Sequence, residues 1–353
     1  MRTYDLIAEL PLTVEGYGLS GLSQDVSAGF TRRTTLISIF GAGEVGTGED
    51  VNYEGDEHEA FQRGGLVGVP PPGDYTLDTF SRQLDTPSLF AKPPAYPASY
   101  DYRRSAVESA ALDLALRQAG RSLPDVLGLV PQPLRFVCSL GLGTPPSLEP
   151  ILRRLAIDPG MRFKLDPSPD WSPDVIRQLV DLDAIDTIDF KAHYSQDTPV
   201  ERPLVDAYAA LANAFSEAWI EDPADTPDAL SALEPYSDRV TWDAPIHGVA
   251  DIESRAWVPR MVNVKPSRFG PLSTLLDTLD WLSARGIGSY AGGQFELGVG
   301  RGQVQAIASL FHADAPNDIA PVAWNVPEPP PDAPKTPLAP ALLEVGFGWT
   351  PTG

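Results

Sequence analysis

Five charged residues in the second half of the chain each close a short apolar run: Lys164, Asp189, Glu221, Asp243 and Lys265. They are separated by 25, 32, 22 and 22 residues, and each interval has room for a strand, two loops and a helix. Charges are costly to bury unless they are paired or bound to metal, so five at successive strand ends read better as a site than as scattered ion pairs. Three carboxylates from neighbouring strands make an all-oxygen set, suited to Mg2+ rather than to zinc or copper. A cation held there can fix a substrate carboxylate and take up negative charge as an enolate forms. A lysine on either side can remove or return an α-proton. The chain has 21 arginines but only five lysines, and lysine, unlike arginine, can lose its proton in a suitable environment. Lys92 and Lys335 lie in Pro-rich segments and read as surface. Lys164, Lys191 and Lys265 each end a strand-like run.

The elements that must position these residues follow from the rhythm of the chain. From Phe136 onward, FVCSLGL, MRFKL, TIDFKA, EAWIED, RVTWDA, MVNVKP, SYAGGQFE and IAPVAW alternate with helix-like stretches. Eight such runs predict an α/β fold with a closed parallel barrel over residues 131–324, its functional side chains at the C-terminal strand ends. Residues 1–60 read as a small antiparallel sheet, from DLIAELPLTVEGY and TTLISIFGAGEVG, with a polar loop over Gly18 to Thr31. Residues 104–119 carry apolar side chains at helical spacing, with Ser105 and Glu108 as a capping box. NVPEPPPDAPKTPLAP is a Pro-rich extended linker, after which LLEVGFGW is expected to return as a strand on the first sheet. An α+β domain over 1–130, completed by about 325–353, would then cap the barrel.

Bulk properties exclude several roles. A net charge of −22 argues against nucleic acid or an anionic membrane as partner, since phosphate binding needs a basic surface. No apolar run approaches the ~20 residues of a membrane span. The start MRTYDLIAELPL matches a signal peptide poorly, which gives a cytoplasmic expectation. The one cysteine, Cys138, excludes an intrachain disulfide and reads as a packing residue. Oligomeric state is left open.

In order along the chain, these segments resemble the muconate-lactonizing subgroup of the enolase superfamily, which includes o-succinylbenzoate synthase, N-succinylamino acid racemase, dipeptide epimerases and muconate cycloisomerase. RFKL resembles that group's Lys-x-Lys strand with Lys164 at the second, catalytic position. Asp189, Glu221 in WIEDP and Asp243 in TWDAPI match its three metal ligands. VNVKPSRFGPL resembles the strand bearing the second catalytic lysine, Lys265. GGQFELGVGRGQ, with Glu296, resembles the next strand of the synthase and racemase branch, and TRRTTLISIFGAGEVGTGEDV a strand of the capping domain. The resemblance implies a modified (β/α)7β barrel under an α+β cap, Mg2+, an enolate intermediate and a small carboxylate substrate. Dipeptide epimerases rank lower, because no Asp-x-Asp stands near the eighth strand.

Two positions depart from the pattern. Arg162 stands where the first lysine of the pair is expected, and Asp189-Phe190-Lys191 replaces Asp-x-Asn. Alternation places Lys191 inside the barrel beside Asp189. Arg162, Lys164, Lys191 and Lys265 would then balance Asp189, Glu221, Asp243 and Glu296. Lys191 either meets a second substrate carboxylate or replaces the metal, and the latter gives an alternative: a metal-free or non-catalytic barrel binding a small anion. Arg162, Lys191 and Glu296 are the expected substrate contacts. Schiff-base chemistry at a strand lysine is a third, weaker reading. His193 reads as a loop histidine, His247 and His312 as structural or exposed, and His58 as part of a capping loop.

Overall fold

The computed structural model describes residues 2–26, 29–86, 88–194 and 205–350. After a short helix α1 (Asp5–Ala8) and strand β1 (Pro11–Val14), an antiparallel meander runs through β2 (Gly16–Asp25), β3 (Thr31–Gly41) and β4 (Glu44–Asp50). Helix α2 (Gly55–Gly64), strand β5 (Gly73–Thr76, paired with β1), α3 (Leu77–Gln83) and the long α4 (Ala98–Gln118) complete this cap. Alternate residues of β3, including Ile37 and Ile39, are fully buried. β4 turns Gly46 and Gly48 toward α4. A Cβ there would lie 2.2 Å from the carbonyl oxygen of Ala110 and 2.0 Å from that of Ala106, so only glycine lets the helix lie this close to the strand.

Two expectations for this region need correction. The loop expected over Gly18 to Thr31 is mostly strand: β2 pairs with β3 from Gly16↔Phe40 to Asp25↔Thr31. It is an outer strand with small, partly exposed residues, so it lacks the apolar alternation of a half-buried one. Residues 27 and 28 lie outside the described residues. The capping box is also absent, because α4 begins at Ala98 and Ser105 sits buried in its interior. Tertiary partners claim Glu108 instead: Ser81 Oγ donates to it at 2.7 Å, Arg104 Nε at 2.5 Å and the Leu272 amide at 2.8 Å.

Helix α5 (Leu123–Leu127) leads to the barrel. Its elements are β6 (Val137–Gly141), α6 (Glu149–Ile157), β7 (Arg162–Asp166), α7 (Pro173–Asp181), β8 (Ile185–Asp189), α8 (Tyr208–Ala214), β9 (Trp219–Glu221), α9 (Pro227–Leu233), β10 (Val240–Thr241), α10 (Val249–Glu253), β11 (Met261–Val264), α11 (Leu272–Arg285), β12 (Gly288–Ala291) and α12 (Val299–Phe311). β6 to β10 form one parallel sheet in sequence order, and β11 and β12 form a parallel pair. The Asn263 amide, donating to the Trp242 carbonyl at 3.1 Å, links the two sets. Ser172 and Thr226 cap α7 and α9 by accepting amides of the first turn. Cys138 is buried in β6, as expected of a packing residue.

The expected eighth strand, IAPVAW, is not continuous. Parallel bridges at Asn317 to Phe136 and at Asp318 to Gly292 join the first strand to the last, and the chain then turns into a 3-10 helix at Val322–Trp324. Pro321 has no amide to donate, which ends strand pairing there. LLEVGFGW adds no strand to the cap sheet. It folds on itself through a Leu342↔Trp349 bridge and packs on α4, where the Phe347 amide donates to Asp113 Oδ1 at 2.8 Å.

Gly48→Ala should overpack the cap and cost about 1–3 kcal/mol, read as a lower urea midpoint. His312, buried at the end of α12 with Nδ1 3.1 Å from Ser289 Oγ, has its pKa pushed by burial from 6.5 down to about 3. Its neutral form is the one the fold accepts. This contribution to stability should be full above pH 6.5 and drain away as pH falls toward 3, and His312→Asn should flatten that limb of the stability profile.

Candidate active site

The five residues singled out first converge at the C-terminal mouth of the barrel. Lys164 lies within β7, Asp189 and Glu221 end β8 and β9, Asp243 lies just past β10 and Lys265 just past β11. All are buried. Lys164 Nζ lies 3.0 Å from Asp189 Oδ2, 2.5 Å from Glu221 Oε1 and 3.4 Å from Asp318 Oδ2. Lys265 Nζ lies 2.8 Å from Asp243 Oδ2. Its stem runs over Gly292, where a Cβ would come within 2.5 Å of Lys265 Cε. Other donors fix the carboxylates. Tyr290 donates to Glu221 Oε2 at 2.7 Å, Asn263 to Glu221 Oε1 at 3.1 Å and Tyr194 to Asp243 Oδ2 at 3.0 Å. Arg268 meets Asp243 Oδ1 at 2.7 Å.

Lys191 joins this cluster, though not as a strand residue. It lies beyond the end of β8 with φ +50, and its amide donates to Asp189 Oδ1 at 3.0 Å. Its Nζ reaches Asp189 Oδ2 at 2.7 Å and Asp166 Oδ1 at 3.1 Å. Arg162 and Glu296 stand apart. Arg162 Nε pairs with Asp186 Oδ1 at 2.6 Å, and a further nitrogen donates to the Asp183 carbonyl. Alternation along β7 separates Arg162 from Asp166 by two full pleats, which carries it to the opposite end of the strand. Glu296 pairs with Arg301 at 3.0 Å, beside the cap. The four-against-four charge count is therefore corrected. The mouth brings together Asp166, Asp189, Glu221, Asp222, Asp243 and Asp318 with Lys164, Lys191, Lys265 and Arg268.

Sequence reasoning missed four of these. Asp166 had a signal, since it lies two residues beyond Lys164 and so on the same side of the strand. Asp222, with φ +48, accepts the amides of Asp243 and Ala244 at 2.7 and 2.9 Å and holds the end of β10 in place. Arg268 sits in the 3-10 turn after Lys265, and Asp318 in a bridge that no pattern announced. His58 is buried in α2, bonded to Thr35 and the Asn52 carbonyl. His193 meets the Pro223 carbonyl at 2.8 Å, and His247 lies partly exposed near Asp251.

The electrostatics follow from this crowding. Burial opposes the Lys164 charge, but Asp189 and Glu221 outweigh it and hold its pKa well above the usual lysine range. Burial pushes Glu221 up to about 7 despite Lys164, and Asp166 up to about 6 despite Lys191. Asp243 is held well below the carboxylate range, because Arg268 and Lys265 overcome its burial. As the side chains stand, the ammonium of Lys164 lies between Asp189 and Glu221, and no three acidic or histidine side chains among the described residues converge on one point. That ammonium marks where positive charge is favoured. The six carboxylates outnumber the four cations and offer only oxygen donors, a composition suited to a hard divalent cation.

Residues 5–126 match the N-terminal domain, and residues 130–326 the C-terminal domain, of a family described as a domain of unknown function, DUF8230. An o-succinylbenzoate synthase of Geobacillus kaustophilus is 27% identical over 88% of this chain and 85% of its own. An N-succinylamino acid racemase of Thermus thermophilus is 27% identical over 82% of this chain and 79% of its own. Among solved structures, a mandelate racemase/muconate lactonizing protein from Herpetosiphon aurantiacus superposes with a TM-score of 0.65 at 16% identity, covering 88% of this chain and 90% of that one. A muconate lactonizing enzyme gives 0.62 at 17% identity, over 87% and 88%. The chain thus belongs to the DUF8230 family, and its fold is the one these mandelate racemase and muconate lactonizing structures share.

Proposed function

We propose that the protein abstracts the α-proton of a small carboxylate substrate to give an enolate. That enolate would proceed either to an o-succinylbenzoate synthase-like dehydration or to racemisation of an N-acylamino acid. The observation that carries this reading is the order of side chains across the mouth: Lys164, Asp189, Glu221, Asp243 and Lys265 on successive elements, a buried lysine on each flank of three carboxylates. The relatives named o-succinylbenzoate synthase and N-succinylamino acid racemase support the same step. A metal-free, anion-binding role draws no support from them.

Bound Mg2+, held by Asp189, Glu221 and Asp243, would supply positive charge to the substrate carboxylate and loosen the hold of those carboxylates on the two lysines. Lys164 Nζ takes or returns the α-proton on one face and Lys265 Nζ on the other. Tyr290, Asn263, Tyr194 and Arg268 keep the carboxylates in fixed orientation meanwhile. For racemisation both lysines exchange protons with the substrate. For a syn dehydration one lysine acts as base and then as acid, while the other stabilises the enolate by its charge. Tyr53 of the cap donates to Gln294 at 2.8 Å beyond β12, a polar tie between cap and barrel.

In deuterated water with Mg2+, racemisation of N-acylamino acids should place deuterium at the α-carbon, whereas dehydration of a succinylbenzoate precursor should release its α-hydrogen to solvent, both read by NMR. Lys164→Ala and Lys265→Ala should each slow turnover about a hundred- to ten-thousand-fold. In a racemase each single variant should still exchange the proton of one enantiomer. A broad carboxylate panel that shows neither label uptake nor dehydration would sink the proposal.

A further inference from the structure

Two strand ends carry opposite charges in alternation. β7 presents Lys164 and then Asp166, and the chain leaving β8 presents Asp189 and then Lys191. Lys164 meets Asp189 at 3.0 Å, Asp189 meets Lys191 at 2.7 Å and Lys191 meets Asp166 at 3.1 Å, so each charge faces its opposite. Two ammonium groups converge on one oxygen, Asp189 Oδ2, which belongs to the set suited to a divalent cation. A dication beside that oxygen repels both ammonium groups. Lys164 also holds Glu221 and Asp318. Lys191 has Asp166, whose side chain is 28% exposed and lies toward the rim.

We propose that Asp166 is a holding site for Lys191, taking its ammonium away from Asp189 when a divalent cation binds, so that a third lysine and the cation share one mouth. Asp166 is then a positioning residue for the cation that touches Lys191 rather than the ion. The inference rests on the reading of Asp189, Glu221 and Asp243 as cation ligands. The left-handed backbone at Lys191 supports it, since a residue beyond the strand can swing its side chain between two carboxylates without disturbing β8.

The test is Mg2+ titration calorimetry on the whole chain and on Asp166→Asn, Lys191→Asn and the double variant, with circular dichroism confirming that each is folded. Asp166→Asn should weaken Mg2+ binding about tenfold, and Lys191→Asn should tighten it. In the Lys191→Asn background the Asp166 change should have little further effect, because there is no ammonium left to hold. An equal weakening in both backgrounds would overturn the inference, since Asp166 would then act on the ion directly. Mg2+ binding by none of the four proteins would overturn the reading of the carboxylate triad itself. Binding by all four with no effect of Asp166→Asn would overturn the holding role alone.

Discussion

Crowding six carboxylates, four of them fully buried, at one barrel mouth is the constraint on which the rest of this structure depends. Like charges so close in a dry environment cannot all stay ionised without cations among them. The chain answers with three lysines and an arginine, each placed on a carboxylate, and with neutral hydroxyl and amide donors on Glu221 and Asp243. The outcome is uneven. Asp243, next to Arg268 and Lys265, is a firm anion, whereas Glu221 and Asp166 are left high in pKa by burial that their single lysines do not offset. The three lysines are thus held by the carboxylates they neutralise.

Matching polar groups tie the cap to the mouth. Glu49 at the end of β4 accepts the amides of Leu297, Gly298 and Gly300 at 2.7, 2.9 and 2.9 Å, which satisfies the first turn of α12 and complements its dipole. Arg32 of β3 is buried and donates to the carbonyls of Val51, Asn52, Gln294 and Phe295, while lying 4.4 Å from the Tyr53 ring centre. Both residues fix the segment between β12 and α12, which also carries Glu296. The sequence assigned Glu296 to substrate by resemblance. Its partner Arg301 instead places it in this hinge between cap and barrel.

How much could be read beforehand depended on the kind of signal. The parallel barrel and its five charged strand ends were legible, because buried parallel strands are apolar runs and a charge closing such a run stands out. β2 was not legible, since an outer strand of glycine and serine carries no periodicity. Asp318 and Arg268 were hidden because a bridge and a 3-10 turn have no sequence period of their own. Lys191 shows a partial success. Alternation put it beside Asp189, and it is there, but through a left-handed residue past the strand end rather than through the pleat. The missing partner in that reading was Asp166, without which Lys191 looked like a replacement for a metal.

The docking of the last turn on α4 bears on how the chain is made. Asp113 is buried and takes its donors from the Thr47 amide, Arg117 and the Phe347 amide. The first two are synthesised early; the third is more than two hundred residues downstream. An Asp113 enclosed before Phe347 emerges would lack one of its bonds, and Phe347 and Trp349 would leave their apolar seats empty. Because Phe347 follows the barrel segments in the chain, those segments emerge from the ribosome before the last of the Asp113 bonds can form.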